Sequence, residues 1–294
     1  MADPAHTIDV SLAARLVAAR FPGFSALPLT PLDTPGTDNT LFRLGERACL
    51  RLPRLAAADE QLVKEAEWLP QLSAMPFELP KPLALTGPFG DFPFHAAIYE
   101  WLPGRSALET PPTDMAKAAE SLGGFVSALR KQPTLKAPVA GAHNQYRGAP
   151  LSVRDRLTRS ALSRLDGMVD AGKLANIWTT CLDTPRHPGP DKWLHGDLHA
   201  GNLIVRDGAL VGVIDFGLLG IGDPAVDLIP AWSFLDASTR EAFCDVAGAG
   251  PDEWRRGQGW ALSTAAIALD YYRDANPALS SLSLRSLREL QAYA

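Results

Sequence analysis

The sequence predicts an α+β protein in two lobes: an N-terminal antiparallel sheet with one main helix, then a larger, mainly α-helical C-terminal lobe. Three observations carry that prediction. Short β-type runs separated by turn residues fill the chain as far as Trp101, with one stretch of helical periodicity among them. Leu102-Pro-Gly104 then breaks the pattern, which divides the lobes as 1–103 and 104–294. Beyond Pro112 the apolar residues recur at helical spacing.

The elements follow in order. Leu12, Leu16 and Val17, behind the caps Asp9 and Ser11, predict a short helix over Ser11–Phe21 that Pro22-Gly23 ends. Leu27–Leu32, Leu41–Leu44 and Ala48–Leu52 read as strands, separated by the turn-rich Thr34-Pro-Gly-Thr-Asp-Asn39 and by Gly45-Glu46. Asp59–Leu72 reads as the helix of this lobe, with Leu62, Leu69 and Leu72 on one face and Lys64 and Glu67 elsewhere. Strands at Leu83–Leu85 and Phe94–Trp101 complete the sheet. In the second lobe Leu122, Phe125, Val126 and Leu129 form the stripe of a helix over Asp114–Leu129. Lys131–Pro150 reads as a loop, and Val153–Leu165 with Leu174–Cys181 as a helix pair. Leu203–Val205 and Leu210–Ile214 make a hairpin around Arg206-Asp-Gly208, since Asp-Gly favours a tight turn.

Composition narrows the function. The 294 residues are 46% hydrophobic and 21% charged, enough for a sizeable core and too apolar for wholesale disorder. Lys plus Arg is 28 against 33 for Asp plus Glu, a net charge of −5 that gathers neither nucleic acid nor an anionic membrane, so neither is expected as a partner. Cys49, Cys181 and Cys244 lack any Cys-x-x-Cys spacing, so a disulfide framework and a structural zinc site are both unexpected. Met1–Val10 carries two Asp and no Lys or Arg, and no run of ~18 apolar residues occurs, so the expectation is a cytoplasmic protein. Nothing in the pattern sets an oligomeric state.

The chemistry gathers at the hairpin. His195-Gly-Asp197-Leu-His199-Ala-Gly-Asn202 precedes its first strand and Asp215-Phe-Gly217 follows its second, so two loops converge at one end. A carboxylate, Asp215, then comes within reach of a carboxamide oxygen, Asn202, and two such ligands suit Mg²⁺ that completes its shell with water and phosphate. Asp197, five positions before Asn202, is placed to face an incoming hydroxyl nucleophile.

Asp-x-x-x-x-Asn followed by Asp-Phe-Gly resembles the protein-kinase pattern, and His-Gly-Asp-Leu-His-x-Gly-Asn is similar to that of the aminoglycoside phosphotransferase family. The likeness runs through Cys49-Leu-Arg51-Leu-Pro, Lys64-Glu65, Tyr99-Glu-Trp-Leu-Pro-Gly104 and Gly222-Asp-Pro-Ala-Val-Asp227, in order along nearly the whole chain. The resemblance implies a two-lobed protein-kinase-like fold with a nucleotide-binding first lobe and a catalytic, substrate-binding second lobe. It further implies an enzyme that moves the γ-phosphoryl of ATP, or GTP, with Mg²⁺, to a hydroxyl of a small molecule. It gives Asp197 the part of catalytic base or hydroxyl-orienting residue, and Asn202 and Asp215 that of metal ligands. His199 is a donor to the γ-phosphoryl or a packing residue, and His195 pins the loop. Arg51 stands for the phosphate-contacting cation, with Arg47 its rival, and Glu65 for its carboxylate partner, with Glu67 as fallback. Gly36 and Asn39, in the turn after the first strand, would lay backbone N–H groups over phosphates. Tyr99 and Trp101 would run along the adenine edge.

Only a short stretch separates Gly217 from Asp223, which leaves no peptide-docking segment and favours a small acceptor. The acceptor implied is an aminoglycoside-type antibiotic or related amino-hydroxy compound. Choline, ethanolamine, homoserine, a sugar amine or a macrolide are the alternatives, followed by an inactive nucleotide-binding scaffold. Asp223–Asp274 is rich in acidic residues, and Asp223 and Asp270 are the candidates for binding a cationic substrate, while Asp227 braces the catalytic loop.

Overall fold

Alternation along Ala48–Pro53 decides how the first unit is built. Leu50 and Leu52 face one way into an apolar core, and the intervening Arg51 faces the other. This strand, β3, lies at the centre of an antiparallel sheet with β1 (Leu29–Leu32), β2 (Asn39–Leu44), β4 (Pro82–Thr86) and β5 (Ala96–Glu100), in the order β1-β2-β3-β5-β4. Helix α1 (Val10–Arg20) starts where Asp9 accepts the Leu12 N–H at 2.7 Å, and it buries Ala13, Leu16 and Val17 against Phe42, Leu44, Leu50 and Ile98. Helix α2 (Ala56–Trp68) buries Ala58, Gln61, Leu62 and Glu65, the spacing of a single helical face. Lys64, expected off that face, is buried too, and burial pushes its ammonium down to about 8 against the opposing pull of Glu65. Leu69 and Leu72 fall outside the helix, because Pro70 turns the chain into a short 3-10 segment over Leu69–Gln71.

The computed structural model describes residues 8–32 and 38–293. Its contacts separate a first unit, 1–73 with 78–103, from a second, 74–77 with 104–294. Among the described residues no helix is long and apolar enough to cross a membrane.

In the second unit, β6 (Arg105–Ser106) joins the edge of the predicted hairpin, and α3 (Met115–Leu129) follows with Asp114 as its N-cap. After the long loop come α4 (Asp155–Arg164) and α5 (Ala171–Leu182). The hairpin of β8 (Leu203–Arg206) and β9 (Ala209–Val213) turns through Asp207 and Gly208, both at positive φ as a two-residue turn of this hand requires. It is preceded by β7 (Lys192–Leu194) and followed by β10 (Gly220–Gly222), which pair antiparallel. Then α6 (Pro230–Ser233), α7 (Arg240–Ala247), α8 (Pro251–Tyr272) and α9 (Pro277–Tyr293) close the core. At Gly123 a Cβ would lie 2.9 Å from the Phe243 carbonyl, so α3 and α7 touch there backbone to backbone. Helix α8 carries Trp260, Leu262 and Leu269 into the core and serves as its central post.

Candidate active site

In the first unit the decisive contact is Arg51 Nη1 to Glu65 Oε2, 2.8 Å, with both side chains buried. The strand supplies the cation and the helix the carboxylate, each on the face left over after its neighbours fill the core. The rivals are not part of this contact: Arg47 lies exposed in the turn before β3, and Glu67 is exposed on α2. Asn39 opens β2 opposite Pro53, and its Oδ1 is sealed with no hydrogen-bond partner among the described residues. Gly36 lies outside the described residues. Tyr99 is buried opposite Cys49, while Trp101 donates its N–H to the Arg47 carbonyl and holds the Arg43 guanidinium 3.9 Å above its ring.

In the second unit the loop after β7 is built on Asp227. Its two carboxylate oxygens accept the N–H groups of His195 and Gly196, each at 2.8 Å. The His195 ring is fully buried, accepts the Asp197 N–H at Nδ1 and so donates from Nε2 to the Ile214 carbonyl at 3.1 Å. Burial pushes its pKa down despite the neighbouring Asp227 and Asp197, which keeps the ring neutral and makes it a structural pin. Gly196 adopts φ +83°, and a Cβ there would come 2.8 Å from the Leu218 carbonyl and 3.2 Å from Arg147 Cβ. The Gly in this loop is therefore dictated by packing as well as by backbone conformation.

So pinned, Asp197 presents a carboxylate whose side chain remains 31% exposed. Arg147 Nη2 lies 3.7 Å from Oδ1 and His199 Nε2 lies 3.6 Å from Oδ2. Burial raises the Asp197 pKa, but the His199 contact and the charges of His199 and Arg147 outweigh it and hold the carboxyl well below the usual range. Reciprocally, burial lowers the His199 pKa, and the Asp197 contact with the charges of Asp197 and Asp215 raises it overall. His199 Nδ1 also accepts the Gly201 N–H at 3.0 Å, capping the 3-10 turn Ala200–Asn202.

Asn202 donates its amide to the Asp197 carbonyl at 3.0 Å, which commits the nitrogen and leaves the carboxamide oxygen as a ligand. The Asn202 carbonyl accepts the Ile214 N–H at 2.9 Å, tying the two loops together just before Asp215, which is exposed and in left-handed backbone at φ 64°. One carboxylate and one carboxamide oxygen fit Mg²⁺, an ion commonly held through one or two carboxylates and substrate phosphates. Among the described residues no three His, Cys, Asp or Glu side chains form a self-sufficient metal cluster.

Two candidates are engaged by arginines. Asp223 is buried, accepts the Ala225 N–H at 3.1 Å and takes Arg256 Nε at 2.6 Å, so it closes a turn onto α8. Asp270 receives Arg164 Nε on both oxygens at 2.9 Å and Nη2 at 2.5 Å, and that contact holds its carboxyl below the usual range. Glu253, from the same acidic stretch, pairs with Arg130 at 2.5 Å. The arginine that caps α3 and arginines of α4 and α8 thus pack against carboxylates of the acidic stretch.

The residue the sequence reading missed is Arg147. It sits in the loop before α4, after Gln145 and Tyr146, both at positive φ. Its guanidinium is buried, donates from Nη1 to Thr264 Oγ1 at 2.6 Å and leans on Asp197. A Pro- and Gly-rich loop gives no periodicity from which to read such a side chain, and the cue available was an Arg directly before Gly148.

The family model described as the phosphotransferase enzyme family, APH, matches residues 30–260. The chain belongs to this family. Aminoglycoside 3'-phosphotransferases of Escherichia coli and Salmonella typhimurium are 26% identical over 137 residues and 28% identical over 149 residues, in each case 46% of this chain and 50% of the relative. The chain thus aligns with about half the length of these curated relatives. Among solved structures, the GDP complex of wild-type aminoglycoside 2'-phosphotransferase-IIIa is similar with a TM-score of 0.73 at 19% identity, covering 97% of this chain and 99% of that one. The apoenzyme of macrolide 2'-phosphotransferase MphH from Brachybacterium faecium follows with 0.62 at 22% identity, covering 95% and 98%. These likenesses establish the kinase-like α+β fold of the family.

Proposed function

We propose that this family member transfers the γ-phosphoryl group of a nucleoside triphosphate, ATP or GTP, to a hydroxyl of a small molecule. The observation that carries the reading is the Asp197 carboxylate, held ionised on a loop pinned by Asp227, beside two oxygen donors on tied loops. In this reading Asp197 orients the acceptor hydroxyl and takes its proton as the oxygen attacks the γ-phosphorus, whose bond to the bridging oxygen breaks to release the nucleoside diphosphate. Asn202 and Asp215 would hold Mg²⁺, which when bound would supply charge neutralisation on the phosphates. His199, kept protonated more readily by Asp197, donates toward the transferring group. Arg51, fixed by Glu65, supplies the cation for the α- and β-phosphates.

For the acceptor, the aminoglycoside 3'-phosphotransferases that the chain resembles favour an amino-hydroxy compound of the antibiotic type. A second reading, a metabolite kinase, is favoured by one observation: Asp223, Glu253 and Asp270 are all neutralised by arginines, which weakens the case for a polycationic guest. Coupled ADP release over aminoglycosides, macrolides, choline, ethanolamine and homoserine, with ATP and GTP compared, tests the proposal. Release that depends on one of these acceptors and on Mg²⁺ is expected; phosphate delivered only to protein would overturn it.

A further inference from the structure

Among the described residues, Arg154, at the start of α4, is a buried cation of the second unit with no carboxylate at ion-pair distance. Its residue is 9% exposed, yet the sole hydrogen bond of its side chain among the described residues is Nε to Ser263 Oγ at 3.0 Å. No carboxylate among the described residues lies within ion-pair distance of it. Neither Nη is both sealed and partnerless, so the head of the guanidinium still reaches solvent. Ser263 Oγ is fully engaged, sharing a hydrogen with Thr158 Oγ1 at 2.7 Å, so the hydroxyls fix the arginine rather than neutralise it. Trp260 lies beneath, its ring centroid 5.6 Å from the Arg154 guanidinium and 5.9 Å from that of Arg147. Arg147 in turn reaches Asp197 at 3.7 Å. Two guanidiniums thus lie within 6 Å of the centre of one tryptophan, and one of them, Arg147, reaches the Asp197 carboxylate.

A buried cation needs an anion or an overcompensating set of hydrogen bonds, and Arg154 has neither. We propose that Arg154 reads an anionic group, a carboxylate or a phosphate ester, on the acceptor whose hydroxyl is presented to Asp197. The planar fork of a guanidinium with both Nη groups uncommitted matches two oxygens of such a group. The charge of Arg147 acts in the same direction: burial, with the Arg147 charge added to it, pushes the Arg154 pKa down to about 9, a strain that an arriving anion relieves. The acceptor is then an acidic or zwitterionic hydroxy compound, and a polycation is disfavoured at this end of the site. This deepens, and rests on, the phosphotransferase reading.

The test pairs an amino-hydroxy acid, homoserine, with its primary amide, and ethanolamine phosphate with ethanolamine, as acceptors for ATP. Losing the anion from a buried charge pair costs on the order of 10²-fold, so kcat/KM for one charged acceptor should exceed that for its neutral counterpart by about that factor. Which pair shows the preference distinguishes carboxylate from phosphate. In Arg154→Gln the preference should collapse to within about threefold while KM for ATP stays put, and Arg154→Lys should keep an intermediate preference, which separates recognition from misfolding. Equal turnover of charged and neutral partners, or a preference that survives in Arg154→Gln, overturns the inference and leaves the phosphotransferase reading standing. Should no acceptor be phosphorylated, that reading fails on its own, and a titration still decides the site. Acetate and inorganic phosphate, against chloride at matched ionic strength, should shift the Arg154 Nε–H resonance saturably; an unmoved resonance overturns the proposal.

Discussion

The two charged sites of this chain are built on opposite plans. In the first unit Arg51 and Glu65 are closed upon each other at 2.8 Å, both buried. In the second, Asp197 is held by its backbone and left open at its head, its two oxygens approached only to 3.7 and 3.6 Å and a third of its side chain exposed. A group whose task is to hold a shape can be fully satisfied by its partner. The task proposed for Asp197, accepting a proton from an incoming molecule, needs lone pairs in reserve, and the loop around it leaves them by spending its hydrogen bonds on the main chain. Asp227 takes two N–H groups, His195 a third, and Asn202 anchors the Asp197 carbonyl.

This contrast can be broken from either side. The largest stability effect is expected at the closed pair. Arg51→Met removes the cation buried against Glu65, which should lower unfolding stability by about 3–5 kcal/mol and raise the nucleotide KM. Urea denaturation of Arg51→Met, Glu65→Gln and the double variant measures the coupling, and additive losses would show that the pair is not a unit. Next comes Gly196→Ala, whose Cβ meets the Leu218 carbonyl at 2.8 Å in left-handed backbone. It should cost roughly 2–4 kcal/mol, a conformational penalty plus an overpacked contact. A variant as stable as the parent would mean the loop is looser than its packing implies.

The smallest effect is a pH dependence at His195. Its native pKa lies below the ordinary 6.5, so below that pH the unfolded chain binds a proton that the native ring refuses. Its contribution is present above pH 6.5 and is lost as the pH falls, by up to about 1.4 kcal/mol per pH unit for one proton. Unfolding stability followed from pH 7 to 5 should therefore drop more steeply in the parent than in His195→Gln. Parallel curves would place a proton on the buried ring and contradict its role as a neutral pin.

Much of this was legible in the sequence. Leu50, Arg51 and Leu52 declared by alternation that the cation faces away from the core, and Asp207-Gly208 fixed the hairpin that brings Asn202 and Ile214 together. Other features left no periodic trace. β6, β7 and β10 are two or three residues long, too short for any period to show. Lys64 looked solvent-facing because a long stem can be buried at the margin of an apolar stripe, which a hydrophobicity pattern does not register. Asp223 and Asp270 looked available because their arginine partners are 33 and 106 positions away. The same long-range blindness hid Arg147 and Arg154, whose meaning depends on Thr264 and Ser263 of α8.

The account stands or falls on the open carboxylate, and Asp197→Asn addresses it most directly because it preserves shape while removing the charge that accepts the proton. Positioned acid–base groups contribute ~10²–10⁴-fold to rate, so kcat with the best acceptor should fall by about that factor. Nucleotide affinity, measured alongside by titration calorimetry, should stay near that of the parent, since the Arg51–Glu65 pair is untouched. Turnover within about threefold of the parent, well short of the ~10²-fold minimum for such a group, or a loss carried by nucleotide affinity instead, would contradict the assignment of Asp197 as the group that receives the acceptor hydroxyl.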